Sequence, residues 1–162
     1  MIRSITWRGL LVGALLLHLL CGQATEAAPP PAPAATEKCP VCGMFVAKYP
    51  DWAASVVFKD GSISYCDGVK DVRRLLLEPA RFGARQGLAE MAQVWVRDYY
   101  TLQPIDAATA FYVVGSDVFG PMGKELIPFA QRADAEEFLR DHHGERVVAF
   151  AAIDLALLAT LE

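Results

Sequence analysis

From Trp52 onward the sequence passes through strand, strand, helix and strand, and then runs through the same order again. In the first pass Ala53 to Lys59 is rich in β-branched and aromatic residues, Asp60-Gly61 offers a tight turn, and Ser62 to Cys66 returns. Asp67-Gly68 opens a helix whose apolar positions Val69, Val72, Leu75 and Leu76 lie near helical spacing, and Pro79 stops it. A strand from Gln93 to Tyr99 closes the pass. In the second, Ala110 to Val114 and Glu125 to Phe129 read as strands on either side of a Gly-rich loop from Gly115 to Gly123. Asp134 is placed to cap the next helix, with Glu137 completing a capping box and Ala135, Phe138 and Leu139 forming the buried stripe. Gly144 ends it, Arg146 to Ile153 is the last strand, and a short apolar helix from Asp154 to Leu161 trails. Laid on the first pass, the second puts Ala135 on Val72, Phe138 on Leu75 and Leu139 on Leu76. The expectation is an α+β fold of duplicated ββαβ units, residues 38–104 and 105–162, with small mixed or antiparallel sheets and one helix each.

What precedes the repeat cannot join its core. Met1 to Leu20 carries Arg3 and Arg8 and then an apolar run from Gly9 to Leu20. That run is too short to span a bilayer as a helix and has the length of a signal h-region. Residues 1–23 therefore read as an export signal with two endings open: lipidation at Cys21, with the signal ending at residue 20, or cleavage after Ala24 or near Ala27-Ala28. Residues 24–37 form an Ala/Pro-rich tether containing Pro29-Pro30-Pro31 and Pro33. The product lies outside the cytoplasm, on the periplasmic side, and a tether suits a membrane-anchored protein. Taking away Arg3, Arg8 and Glu26 leaves 13 Lys and Arg against 18 Asp and Glu. An acidic balance without a basic stripe argues against a nucleic-acid partner.

Three cysteines remain after the tether, Cys39, Cys42 and Cys66, an odd number that leaves a thiol without an intramolecular partner. Cys39-Pro40-Val41-Cys42-Gly43-Met44 packs three sulfur atoms into six positions. Thiolate and thioether are soft donors that select Cu(I) over hard cations. Gly43 lets the backbone turn sharply enough for Cys42 and Met44 to face one centre. A disulfide or redox pair from Cys39 and Cys42, with Met44 in the core, is the competing reading. Met122 sits in Gly120-Pro121-Met122-Gly123, on a turn rather than in a helix or strand, where an exposed thioether suits a ligand better than a core plug. His142 and His143 end a helix before Gly144, where solvated residues favoured by the helix dipole compete with a role in a copper shell. No Ser/His/Asp arrangement, phosphate loop or paired carboxylate at informative spacing is present.

Several of these segments together resemble the NosL family. They are Cys42-Gly43-Met44-Phe45-Val46, the Asp60-Gly61 hairpin, Phe111-Tyr112-Val113-Val114-Gly115-Ser116, and the run from Gly120-Pro121-Met122-Gly123 through Lys124 and Glu125 to Phe129. The resemblance covers Lys38 to Val148 and implies a Cu(I)-binding accessory lipoprotein of nitrous oxide reductase with repeated ββαβ architecture. It implies Cys42, Met44 and Met122 as metal ligands; Cys39 is an additional thiol that supports them. The first half also resembles YHS and TRASH metal-binding modules, at Pro40-Val41-Cys42-Gly43-Met44 and Tyr65-Cys66-Asp67-Gly68, which raises Cys66 as a further ligand against its reading as a small hydrophobe at a strand end.

The sequence thus points to a metallochaperone and not an enzyme. It would hold Cu(I) at Cys39, Cys42, Met44 and Met122 and hand it to an exported copper enzyme or its assembly machinery, nitrous oxide reductase by resemblance. Two chains sharing one ion, as a homodimer, is an arrangement the sequence leaves open. The rival readings are an exported CxxC thiol-disulfide oxidoreductase and a structural zinc module built on Cys39, Cys42, Cys66 and a histidine.

Overall fold

A computed structural model describes residues 28–162. The export signal, Cys21 and the start of the tether lie outside the described residues.

The first half is built on a hairpin. Strand β1 (Ala54–Phe58) pairs antiparallel with β2 (Ile63–Cys66), Ala54 opposite Cys66 and Val57 opposite Ile63. Gly61 takes the left-handed conformation the turn requires, φ +84°, and the Asp60 carboxylate accepts from the Ser62 N–H at 2.9 Å and hydroxyl at 2.6 Å. Helix α1 (Val69–Leu77) follows, and Pro79 begins a 3-10 turn, Pro79–Phe82, in place of further α-helix. Strand β3 (Met91–Arg97) pairs with the free edge of β1, and β4 (Pro104–Asp106) adds beyond it, so the order is β2-β1-β3-β4.

The second half contains β5 (Phe111–Val114), a two-stranded hairpin β6 (Phe119–Gly120) and β7 (Gly123–Lys124), then β8 (Ile127–Phe129). Helix α2 (Arg132–Asp141), β9 (Arg146–Ala149) and helix α3 (Leu155–Ala159) complete the chain. The sheet order is β8-β5-β9, all antiparallel. The first strand of each unit, β1 or β5, lies between the strand that precedes the unit's helix and the strand that follows it, and the β6-β7 hairpin is an insertion between β5 and β8. The expected duplication therefore appears as matching topology, with antiparallel sheets only.

Three details differ from the sequence reading. Asp134 does not cap α2: the helix starts at Arg132 behind Gln131, and Asp134 lies inside its first turn. A side-chain cap occurs instead at Asp154, which accepts from the Leu157 N–H at 2.8 Å. The last strand stops at Ala149, because a 3-10 turn from Phe150 to Ala152 swings Phe150 into the core.

The larger core draws on both halves: Val56, Leu75 and Leu76 pack in one cluster with Tyr112, Leu126 and Leu158. A smaller cluster of Val113, Ile127, Phe129, Ala135 and Phe138 lies between the second sheet and α2. Helix α1 is buried nearly all round, including Lys70, Asp71 and Arg73. Arg73 donates from Nε at 2.9 Å and from one Nη at 2.6 Å to the Ile153 carbonyl, tying this first-half helix to the second half. The tether is not free along its whole described length, since Pro29 to Pro33 lie against Tyr65, Trp95 and Arg97 on the first sheet, and the Tyr65 hydroxyl donates to the Pro31 carbonyl at 2.9 Å. Among the described residues no helix is long and apolar enough to cross a membrane.

A core shared this way unfolds as one unit. Leu158→Ala, in α3, is expected to cost about 2–5 kcal/mol. Urea unfolding followed by tryptophan fluorescence should keep a single transition; two separated transitions would show that the halves are independent.

Candidate metal centre

The cysteine turn is closed by its own backbone. Cys39 N–H donates to the Met44 carbonyl at 2.9 Å, Gly43 N–H donates to the Cys39 carbonyl at 2.8 Å, and Lys38 bridges Phe45. Gly43, with φ +79°, makes the reversal possible. The turn presents Cys39 inward, 1% exposed, and leaves Cys42 half-buried.

Both thiols meet acids at the start of α1. The Cys39 thiol donates to Asp71 Oδ2 at 3.3 Å, and the Cys42 thiol donates to the two oxygens of Asp67 at 3.2 and 3.4 Å. One donor atom from each of Cys39, Cys42, Asp67 and Asp71 lies within 4.8 Å of all the others, a spacing that one metal ion can bridge. Burial pushes the Cys42 thiol well above its ordinary pKa, and the neighbouring Cys39 adds to the rise. Burial also raises Asp71, with Asp67 beside it contributing in the same direction.

The methionine turn faces this group from the second half. Pro121 and Met122 are the two turn residues between β6 and β7, Gly120 opposite Gly123, and Gly123 at φ +85° lets the chain return. Met122 is 46% exposed and lines, with Cys42, Lys70, Asp71, Arg74 and Phe82, a cavity of about 300 Å³. The structure thus places Cys42 and Met122 on one cavity, while Cys39, buried beside Cys42 in the four-donor group, does not line it. Met44 is half-buried, gives its carbonyl to Cys39, and is not among the residues lining that cavity.

Of the other candidates, Cys66 adjoins the four-donor group without belonging to it, and neither His142 nor His143 is part of that group. Cys66 is fully buried at the end of β2, and the adjacent Cys39 thiol together with burial pushes its pKa well up. Among the described residues all three cysteines are free thiols. His142 stacks on Phe138, and its Nδ1 lies 2.9 Å from Asp117. His143 holds a left-handed backbone, φ +53°.

Asp67 and Asp71 escaped the sequence reading because acids near a helix start ordinarily serve the helix dipole. The available signal was the run Cys66-Asp67-Gly68 directly before the helix, with Asp71 in the helix's first turn, which puts both acids at one helix start.

The family model described as NosL matches residues 30–158. The copper-binding lipoprotein NosL of Stutzerimonas stutzeri is 35% identical over 158 residues, covering 93% of this chain and 82% of that protein. This chain belongs to the NosL family. A crystal structure of the copper chaperone NosL from Shewanella denitrificans superposes with a TM-score of 0.68 at 25% identity, covering 81% of this chain and 99% of that one. The NosL fold is therefore the frame in which the two sulfur-bearing turns approach each other here.

Glu125, next to the methionine hairpin, is a further buried acid the sequence reading passed over. Burial pushes its carboxyl up to about 7 from an ordinary 4.5, even though the Leu126 and Lys70 N–H groups and the Lys70 charge favour the anion; Asp71 opposes it. A folded pKa above the unfolded one means that the folded state holds the proton more tightly. The associated stability is fully present below about pH 4.5 and is lost as pH rises to about 7, a change of about 3 kcal/mol. The urea midpoint is expected to fall across that window, and Glu125→Gln is expected to flatten the fall. An equally steep fall in Glu125→Gln would place the titrating group elsewhere.

Proposed function

We propose that this chain carries one Cu(I) ion as cargo and hands it to an exported copper enzyme, nitrous oxide reductase by the family resemblance. Cys39, Cys42 and Met122 hold the ion, with Met44 as a flanking thioether. The observation that carries this reading is that Cys42 and Met122, from opposite halves of the fold, line one cavity. Soft sulfur donors favour Cu(I), and the relatives named as copper-binding and as a copper chaperone support the same metal. Met122 is exposed enough for a recipient's ligand to approach the ion and displace the thioether first. The Stutzerimonas stutzeri relative is named a lipoprotein, which supports Cys21 as a lipid-bearing residue that keeps this chain at the membrane outside the cytoplasm.

A second metal has one specific observation in its favour. Asp67 and Asp71 beside two thiols make a mixed sulfur and oxygen set that suits Zn(II). The oxidoreductase alternative is weaker, because an attacking cysteine needs a lowered pKa and burial moves Cys42 the opposite way.

Cu(I) titration against a competing chelator tests the reading. Cys42→Ser and the Met44→Ala, Met122→Ala pair should each weaken binding by more than the roughly tenfold cost of losing an outer partner. Unchanged affinity in the double variant would reject the thioethers, and preferential retention of zinc after reducing purification would favour the second reading. Since a thiol must shed its proton to bind the metal as thiolate, Cu(I) loading should also release protons to an unbuffered solution.

A further inference from the structure

The methionine hairpin has little packing of its own. Its strands are two residues each, too short for independent stability, and Phe119 and Met122 are 62% and 46% exposed. What reaches it is a side chain from the other half. Lys70, 4% exposed, donates from Nζ to the Met122 carbonyl at 2.9 Å and to the Lys124 carbonyl at 2.8 Å. Glu125 completes the joint in the reverse direction, its Oε1 accepting the Lys70 and Leu126 N–H groups at 2.8 Å each.

The fit around Glu125 depends on glycine. A Cβ on Gly68 would collide with Glu125 Oε2, and a Cβ on Gly120 would come within 3.0 Å of Glu125 Cβ. The carboxyl group therefore sits over bare backbone at the start of α1, where it accepts from the Lys70 N–H that the helix itself leaves without a partner. Asp67 and Asp71, flanking this same helical turn, hold the two cysteine thiols. One turn of helix thus contacts the thiols on one side and the thioether loop on the other.

We propose that Lys70 and Glu125 act as a positioning latch that holds the Met122 thioether facing Cys42. The proposal rests on the copper reading above and adds the residues that set the geometry. The ammonium touches only the backbone of the hairpin, so neither latch residue is a ligand. Without the two carbonyl contacts the turn must pay its own ordering entropy when the metal arrives, and binding weakens.

The test is a double-mutant cycle on the mature protein, read by Cu(I) affinity against a chelator and by NMR relaxation of the Met122 methyl group in the metal-free state. Lys70→Leu, which keeps an apolar stem, removes the donors and adds no sulfur, should weaken Cu(I) binding about 10- to 100-fold and mobilise the methyl group. In a Met122→Ala background the same change should cost no more than about two- to threefold, because its effect runs through the missing thioether. Glu125→Ala should follow Lys70→Leu, whereas Glu125→Gln keeps the Oε1 acceptor and should restore most of the affinity. If Lys70→Leu does not fold, Lys70→Gln, with a donor for one carbonyl, is read in the same cycle. Equal losses with and without Met122, or an unchanged methyl signal, would overturn the latch. Undiminished affinity in Met122→Ala would instead overturn the ligand assignment, and with it the latch's purpose, while the methyl signal still reports whether Lys70 clamps the hairpin.

Discussion

A charge taken out of water must be met by polar partners, and α1 buries three charged side chains within four consecutive residues. Lys70 reaches the Met122 and Lys124 carbonyls, Asp71 the Cys39 thiol, and Arg73 the Ile153 carbonyl. Those partners belong to three separate segments: the methionine hairpin, the cysteine turn and the C-terminal stretch. Leaving any of the three polar groups unpaired would cost about 1–3 kcal/mol, and more for a charged one, so the segments are drawn to one helix by necessity. The geometry of the candidate centre follows from that requirement more than from the sheets.

The candidate centre combines groups that burial keeps from ionising. The Cys42 thiol donates to Asp67, and burial raises both that thiol and the Asp71 carboxyl. Such a pocket gives little to an oxidant or a hard cation, yet its sulfur is ready for a soft ion that can replace the thiol proton. The exposed side of the site is a neutral thioether, which binds without a proton changing hands. Tight donors inside and a weak donor at the surface suit a carrier that must load and also release.

Much of the fold was legible because it is written in local patterns. The Asp60-Gly61 turn between two β-branched runs gave the first hairpin almost to the residue, and the apolar spacing of Val69, Val72, Leu75 and Leu76 gave α1. The same order of elements in the second half was legible too, and the two sheets share it. The hairpin of β6 and β7 was hidden because strands of two residues, rich in glycine beside a proline, look like loop. Strand β4 was hidden for a related reason, being three residues that begin with Pro104 at a sheet edge. At the site the sulfur residues stood out by chemistry alone. Lys70, Asp71 and Glu125 did not, since charged residues normally read as solvated and only tertiary contacts reveal that these are enclosed.

The proposed centre joins sulfur from two distant turns around one copper ion. X-ray absorption at the copper edge of the Cu(I)-loaded protein counts those neighbours directly. A first shell dominated by sulfur, losing one sulfur neighbour in Met122→Ala, is the expected result. A shell dominated by oxygen or nitrogen, or the same sulfur count with and without Met122, would contradict it.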